Sequence, residues 1–296
     1  MNKRVGSILW LIVTAMLLLG CGSAWAEKDN GVWVYEISNG KATILEYKGS
    51  EHDLQFPDTM EDCPVVQIGK GNRSILWYND QKSLKLTFPE TVEVLEGNYF
   101  TLGSIKKVRI PASVRSIGQS TFEIFFSDVV FEGAPETLGD YAFQSSCLKK
   151  MIVNEGTASI GERCFEDCSA LKTVSLPMSL EYLGSEAFRN CTKLSNLSFA
   201  ENSALKAIPK ACFVDCHALK TLTLPDHLES IDTNAFYGCK KLTSVVVPST
   251  VTKIADDAFA ACSPKLTFTV AEGSYAEQWA IDHEFKTKID NTLAGI

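Results

Sequence analysis

The chain has 296 residues, with 28 Lys and Arg against 36 Asp and Glu, four His and ten Cys. The acidic balance speaks against nucleic acid as a partner, because phosphate binding needs basic patches. The length alone suggests about two domains, but the spacing of the motifs points to one repeated unit.

Residues 1–26 read as a secretory signal. Asn2-Lys3-Arg4 is the charged start, Ile8–Leu19 the apolar run, and Ala24-Trp25-Ala26 an A-x-A cleavage site. The apolar run is short for a bilayer core of about 30 Å. A rival site exists: Leu18-Leu19-Gly20-Cys21 resembles a bacterial lipobox, which would lipidate Cys21 and anchor the chain to a membrane. The A-x-A site is the stronger of the two. Loss of Lys3 and Arg4 leaves the mature chain near −10. Either route places it outside the cytoplasm, secreted or on the cell surface.

Residues 27–53 read as an N-terminal cap. Trp33–Ile37 and Ala42–Leu45 alternate with period two, as strands do. Asn39-Gly40 lies between them and suits a tight hairpin turn. Such a hairpin would cover the open edge of a stack.

Residues 54–270 repeat. Leu171–Leu194 reads LKTVSLPMSLEYLGSEAFRNCTKL and Leu219–Leu242 reads LKTLTLPDHLESIDTNAFYGCKKL. A register Phe falls at Phe100, Phe122, Phe143, Phe165, Phe188, Phe213, Phe236 and Phe259, in steps of 21 to 25 residues. One such unit cannot bury its apolar side alone, so the units must stack. The first, Leu54–Gly69, is irregular; Arg73 stands where the Phe should be, and Trp77-Tyr78 is a candidate filler. In the regular units L-x-x-V-x-L is a strand stopped by Pro89, Pro111, Pro177, Pro225 or Pro248. L-x-x-I is a second short strand or turn. A-F-x-x-C is read as a turn of α- or 3₁₀-helix. The unit at Leu197–Phe213 lacks the Pro and carries two extra residues near Glu201-Asn202-Ser203, which suggests a bulged corner.

The halves A-F-x-x-C-x-x-L and L-P-x-x-L-x-x-I resemble the BspA-type leucine-rich repeats of bacterial surface proteins, from roughly Trp33 to Phe285. The expected fold is an α+β repeat protein: a leucine-rich-repeat solenoid of short strands and helical turns with a β-hairpin N-cap and a short helical C-cap. The resemblance implies a protein ligand and adhesion to a host or neighbouring cell. Residues 271–296 complete the chain as a capping helix and tail. Ser274-x-x-Glu277 is a capping box, and Ala276, Trp279, Ala280 and His283 follow at helical spacing.

Cys168, Cys191, Cys216, Cys239 and Cys262 each fall three residues after a register Phe. A column of this kind packs small buried side chains, so free thiols are expected rather than disulfides. Cys164-Phe-Glu-Asp-Cys168 and Cys212-Phe-Val-Asp-Cys216-His217 have metal-like spacing. However, Cys164 and Cys212 take positions held elsewhere by Ala142, Ala187, Ala235 and Ala258. No metal, cofactor or catalysis is expected. His52, His217, His227 and His283 lie in no nucleophile or zinc motif.

The candidate binding face is the outward side of L-x-x-V-x-L. One column holds Lys107, Asp128, Lys150, Thr173, Asn196, Thr221 and Ser244; the other holds Arg109, Val130, Ile152, Ser175, Ser198, Thr223 and Val246, and the candidates are their basic, hydroxyl and amide members. It is basic at its N-terminal end and hydroxyl-rich at its C-terminal end. Protein is the favoured ligand. A cell-wall or host glycan is the alternative, disfavoured by the lack of Phe, Tyr or Trp in either column.

Overall fold

A computed structural model describes residues 24–71, 73–76, 83–97, 104–105, 107–122 and 127–295. The leader through Ser23, with Cys21, lies outside these residues, as do Trp77, Tyr78 and Phe100.

The chain winds into a solenoid with three walls. The front wall is made of the L-x-x-V-x-L strands, such as Thr173–Leu176, whose alternate residues Val174 and Leu176 point into the core. The back wall is made of two-residue L-x-x-I strands, such as Ser159–Ile160 and Tyr182–Leu183, paired in parallel. The side wall is made of the A-F-x-x-C turns.

At the N-terminus β1 (Ala24–Asp29), β2 (Trp33–Ser38) and β3 (Lys41–Tyr47) form an antiparallel unit. The turn at Asn39 and Gly40 has positive φ at both residues, which these residue types tolerate best. β3 then pairs in parallel with Cys63–Ile68 and so covers the edge of the back wall. β1 adds a strand the sequence did not announce; it begins inside the expected cleavage site. Arg73, in place of a register Phe, binds Glu27 at 2.7 Å and Glu46 at 3.0 Å on this cap.

The register Phe side chains form a stack. Phe122, Phe143, Phe165, Phe188, Phe213, Phe236 and Phe259 are buried, with neighbouring ring centroids 5.0–5.5 Å apart. This spacing follows from the rise per coil. Glycines ahead of the turns let the coils approach: a Cβ on Gly184 would lie 2.4 Å from the backbone nitrogen of Glu162.

The side wall corrects the expectation of helical turns. In one turn the amides of Tyr141, Phe143 and Ser145 donate to Glu162, Cys164 and Glu166 of the next coil, at 2.8–2.9 Å. The amides of Ala142, Gln144 and Ser146 donate three residues back within their own turn, at 3.0–3.3 Å. A helix needs all its amides to bond along one chain, and here every second amide leaves. Two residues per turn adopt left-handed backbone to permit this, for example Tyr141 and Ser145, Arg163 and Asp167, and Glu186 and Asn190. Among the described residues, helix is confined to α1 (Tyr275–Asp282) and a 3₁₀ turn at Asn291–Gly295.

Ser274 Oγ accepts from the Glu277 amide at 3.2 Å, and the Glu277 carboxylate accepts from the Gly273 amide at 2.6 Å. The carboxylate thus reaches one residue further back than the usual capping box. α1 buries Ala276, Trp279 and Ala280. The residues after it are more than a tail. Lys286–Ile289 adds a parallel strand to Thr267–Val270 and continues the front wall past the helix.

The inserted residues near Ser203 have a definite effect. The front strand of that coil, Asn196–Phe199, pairs only with the preceding coil, at Thr173–Leu176. Its back strand, Ala207–Ile208, pairs only with the following coil, at Ser230–Ile231. The side wall runs through: Phe188 donates to Cys212 at 2.9 Å, and Phe213 to Ala235 at 2.8 Å.

Candidate binding face

The front wall is four short sheets rather than one. Lys150, Thr173 and Asn196 stand in register in one of them, with Ser175 and Ser198 two residues on. Ser198 Oγ donates to Ser175 Oγ at 3.1 Å. Thr221 and Thr223 belong to the next sheet, where Thr221 faces Ser244. Lys107 and Arg109 lie apart from Lys150, at a strand that among the described residues pairs with Val129–Phe131 alone. Arg109 is bound to Glu132, so among the described residues Lys107 and Lys150 are the cations of the basic end without an acidic partner. Between the basic and hydroxyl ends, Val130 and Ile152 are 37% and 48% exposed.

Two of the sheet breaks open clefts. The first, of about 410 Å³, is lined by Leu86, Phe88 and Pro111 together with Lys85, Lys107 and Arg109 and the acids Glu90 and Glu132. The second, of about 260 Å³, lies beside the inserted coil and is lined by Ser198, Phe199, Glu201, Thr221, Thr223 and Asp226. The sequence columns found Lys107 and Arg109 of the first cleft and Ser198, Thr221 and Thr223 of the second, but not the acids Glu90, Glu132, Glu201 and Asp226. They missed Phe199, an aromatic brought to the second cleft by the irregular coil.

The cysteines have a role beyond packing. The Sγ atoms of Cys168, Cys191, Cys216, Cys239 and Cys262 each donate to the carbonyl of the register Phe one coil back, at 3.1–3.3 Å. The thiol thus ties neighbouring turns together. None of the nine described cysteines is joined in a disulfide. Burial pushes the thiols of Cys164, Cys191, Cys212 and Cys216 well above their ordinary range, which disfavours the thiolate a metal or a nucleophile requires. Among the described residues, no group of three or more His, Cys, Asp or Glu is arranged to hold a metal ion.

The side wall also carries an ionic cluster that the sequence reading missed. Glu186 accepts from Arg163 at 3.1 Å and from Arg189 at 2.6 Å. Gln144 donates to the nearly buried Glu166 at 2.7 Å. The signal was present, since Arg163 and Glu186 share one position of the repeat and Glu166 and Arg189 share another. Partial burial alone would raise the Glu186 carboxyl, but its bonds to Arg189 and Arg163 outweigh that and hold it below the usual carboxylate range. A depressed folded pKa gives stability that is fully present above the unfolded value, 4.5, and is lost as pH falls through the lower folded value. Glu186→Gln is therefore expected to cost roughly 1–2 kcal/mol at neutral pH, allowing for the part-exposed guanidinium groups. Melting curves between neutral and acid pH test this. The wild-type advantage should shrink below pH 4.5; an advantage that persists there would refute the assignment.

The BspA type leucine rich repeat region family model matches residues 73–132 and 136–265 in six copies. No curated protein matches. Among solved structures, a leucine rich cell surface protein from Faecalibacterium prausnitzii A2-165 is 20% identical, with 88% of this chain and 98% of that one covered at a TM-score of 0.37. The pneumococcal vaccine antigen PcpA is 16% identical, with 92% and 87% covered at 0.39. A leucine-rich repeat protein from Bacteroides ovatus ATCC 8483 is 19% identical, with 90% and 99% covered at 0.36.

Proposed function

Because this chain belongs to the BspA-type leucine-rich repeat family, we propose that it is an exported scaffold that holds another protein on its front wall, serving adhesion at a bacterial cell surface. Solenoids offer long, regular faces of this kind for binding. The observation that carries the reading is the first cleft. Its Leu86, Phe88 and Pro111 floor can take an apolar side chain, and Lys107 at its rim can take an adjoining acid, since Lys85 and Arg109 are held by Asp53 and Glu132. An anchored apolar group inside a polar rim is the usual arrangement of an interface centre. The exposed Val130 and Ile152 extend the apolar contact along the wall.

The test begins with the mature chain on an array of extracellular and bacterial surface proteins, followed by association kinetics with the binder. Changing Lys107, Arg109 and Lys150 together to Glu should slow association several-fold at low salt and much less at high salt, because exposed charges act over about 8–10 Å. The control changes Thr173, Ser175, Thr221 and Thr223 to Ala. Unchanged association after the charge reversal, with binding abolished by the hydroxyl set, would sink the reading. Recognition would then belong to the second cleft, where Phe199 beside Ser198 and Thr223 suits a neutral sugar.

A further inference from the structure

The overall charge hides a strongly asymmetric distribution. Between positions 149 and 265 the chain has eleven lysines. Eight of them, Lys149, Lys150, Lys172, Lys193, Lys220, Lys240, Lys241 and Lys265, lie in the corner segments that lead from the side wall to the front wall. Those segments, 147–150, 169–173, 192–196, 217–221, 240–244 and 263–267, contain no Asp or Glu. Backbone bonds stack them: Lys172 N donates to Lys149 O at 2.9 Å, Ser195 N to Lys172 O at 3.0 Å, and Thr243 N to Lys220 O at 2.9 Å. The C-terminal strand places Lys286 opposite Thr267 and extends the row.

All eight side chains are exposed, and among the described residues none of their ammonium groups has an acidic partner. Elsewhere Lys28, Lys48, Lys70, Lys85 and Lys206 each hold a carboxylate, while Lys107, Lys210 and Lys253 stand singly rather than in a row. The corner row crosses five coil steps, each close to the 5.0–5.4 Å ring spacing of the core. Charges this close repel one another within the screening length of about 8–10 Å. The row therefore brings no stability to the free protein, and a bound anion with charges along its length would relieve it. Lys220, Lys240, Lys241 and Lys265 also line a shallow concavity of about 410 Å³ with Thr243 and Ser263.

We propose that this lysine edge binds a linear anionic polysaccharide, one that carries sulfate or carboxylate groups at regular intervals. Three features select that class. The lysines repeat along a line, as the charges of such a polymer do. The adjoining front wall presents Thr173, Asn196, Thr221 and Ser244 one to three residues further along the chain, suited to sugar hydroxyls. The corner segments hold no arginine and no Phe, Tyr or Trp, the residues that grip phosphates and stack on bases. The edge shares only Lys150 with the basic residues of the proposed function, and its test variants leave Lys150 unchanged, so this inference does not rest on that reading.

The test uses the mature chain with heparin as the probe, beside neutral dextran, polyglutamate and a single-stranded oligonucleotide of matched charge. Heparin should bind at low salt despite the net negative charge of the protein, and the affinity should fall steadily with the logarithm of salt. Changing Lys172, Lys193, Lys220 and Lys241 to Glu should weaken binding by about tenfold or more. Changing Lys206 and Lys253 on the back wall to Glu should leave it within about twofold. If the reversal variant misfolds, the same four changes to Gln, checked by melting temperature, take its place and should weaken binding in the same way. Failure to bind at low salt, or an equal loss in the back-wall variant, would overturn the site. Polyglutamate or the oligonucleotide binding as tightly as heparin would overturn the polysaccharide assignment.

Discussion

Phe188→Ala is expected to cost about 3–5 kcal/mol, at the upper end of that range. Phe188 is fully buried, and its ring is stacked on both sides, 5.1 Å from Phe165 and 5.4 Å from Phe213. The substitution removes both aromatic contacts, each worth about 0.5–1.5 kcal/mol beyond buried area. It also leaves a cavity that the tightly bonded side wall is ill placed to close. The loss should be local, because coils here bond to their neighbours and not beyond. Amide exchange should accelerate most in Thr173–Leu176 and around Cys212, and least in the N-terminal hairpin. Uniform acceleration along the chain would show a single cooperative unit instead.

Trp279→Ala should cost about as much, roughly 3–5 kcal/mol, but at one end. Trp279 closes the aromatic stack, with ring centroids 6.0 Å from Phe259, 5.8 Å from Phe268 and 5.8 Å from Phe285. Its removal uncovers the last coil to water. Exchange should quicken from Thr267 to Ile289 while Lys150–Ile152 keeps its protection. Trp279→Phe supplies the contrast. The indole nitrogen is buried with no partner among the described residues, and losing it removes a desolvated donor that costs about 1–3 kcal/mol. The Phe variant should therefore lose much less stability than the Ala variant. Equal losses in the two, measured by denaturant melts, would mean that packing by Trp279 is not what holds the last coil.

Much of this architecture could be read from the chain because it is written in local patterns. The register Phe residues, the strand-ending prolines and Asn39-Gly40 act within a few residues of themselves. What was missed depends on partners a whole coil away. The A-F-x-x-C turn has the local look of a helix, and only the bonds from Tyr141, Phe143 and Ser145 to the next coil show why it cannot be one. The cysteine column was legible as packing, but its thiol bonds to the preceding Phe carbonyls were not. Lys286–Ile289 is too short and polar to announce a strand, and becomes one because Thr267–Val270 offers an edge. The candidate face was found as two columns. Its division into sheets, and the pairing of Arg109 with Glu132, needed three dimensions.

The coil that carries the extra residues has a mechanical meaning. Its front strand is fastened to the block before it and its back strand to the block after it. The two blocks overlap by one coil, as planks do in a lap joint. No plane across the solenoid at this point cuts through two broken sheets at once. The front opens at one level, the back opens one level earlier, and the side wall crosses both without a gap. Bending at this point would be spread over two coils instead of being gathered into a crease. The rod can change direction there without a weak cross-section.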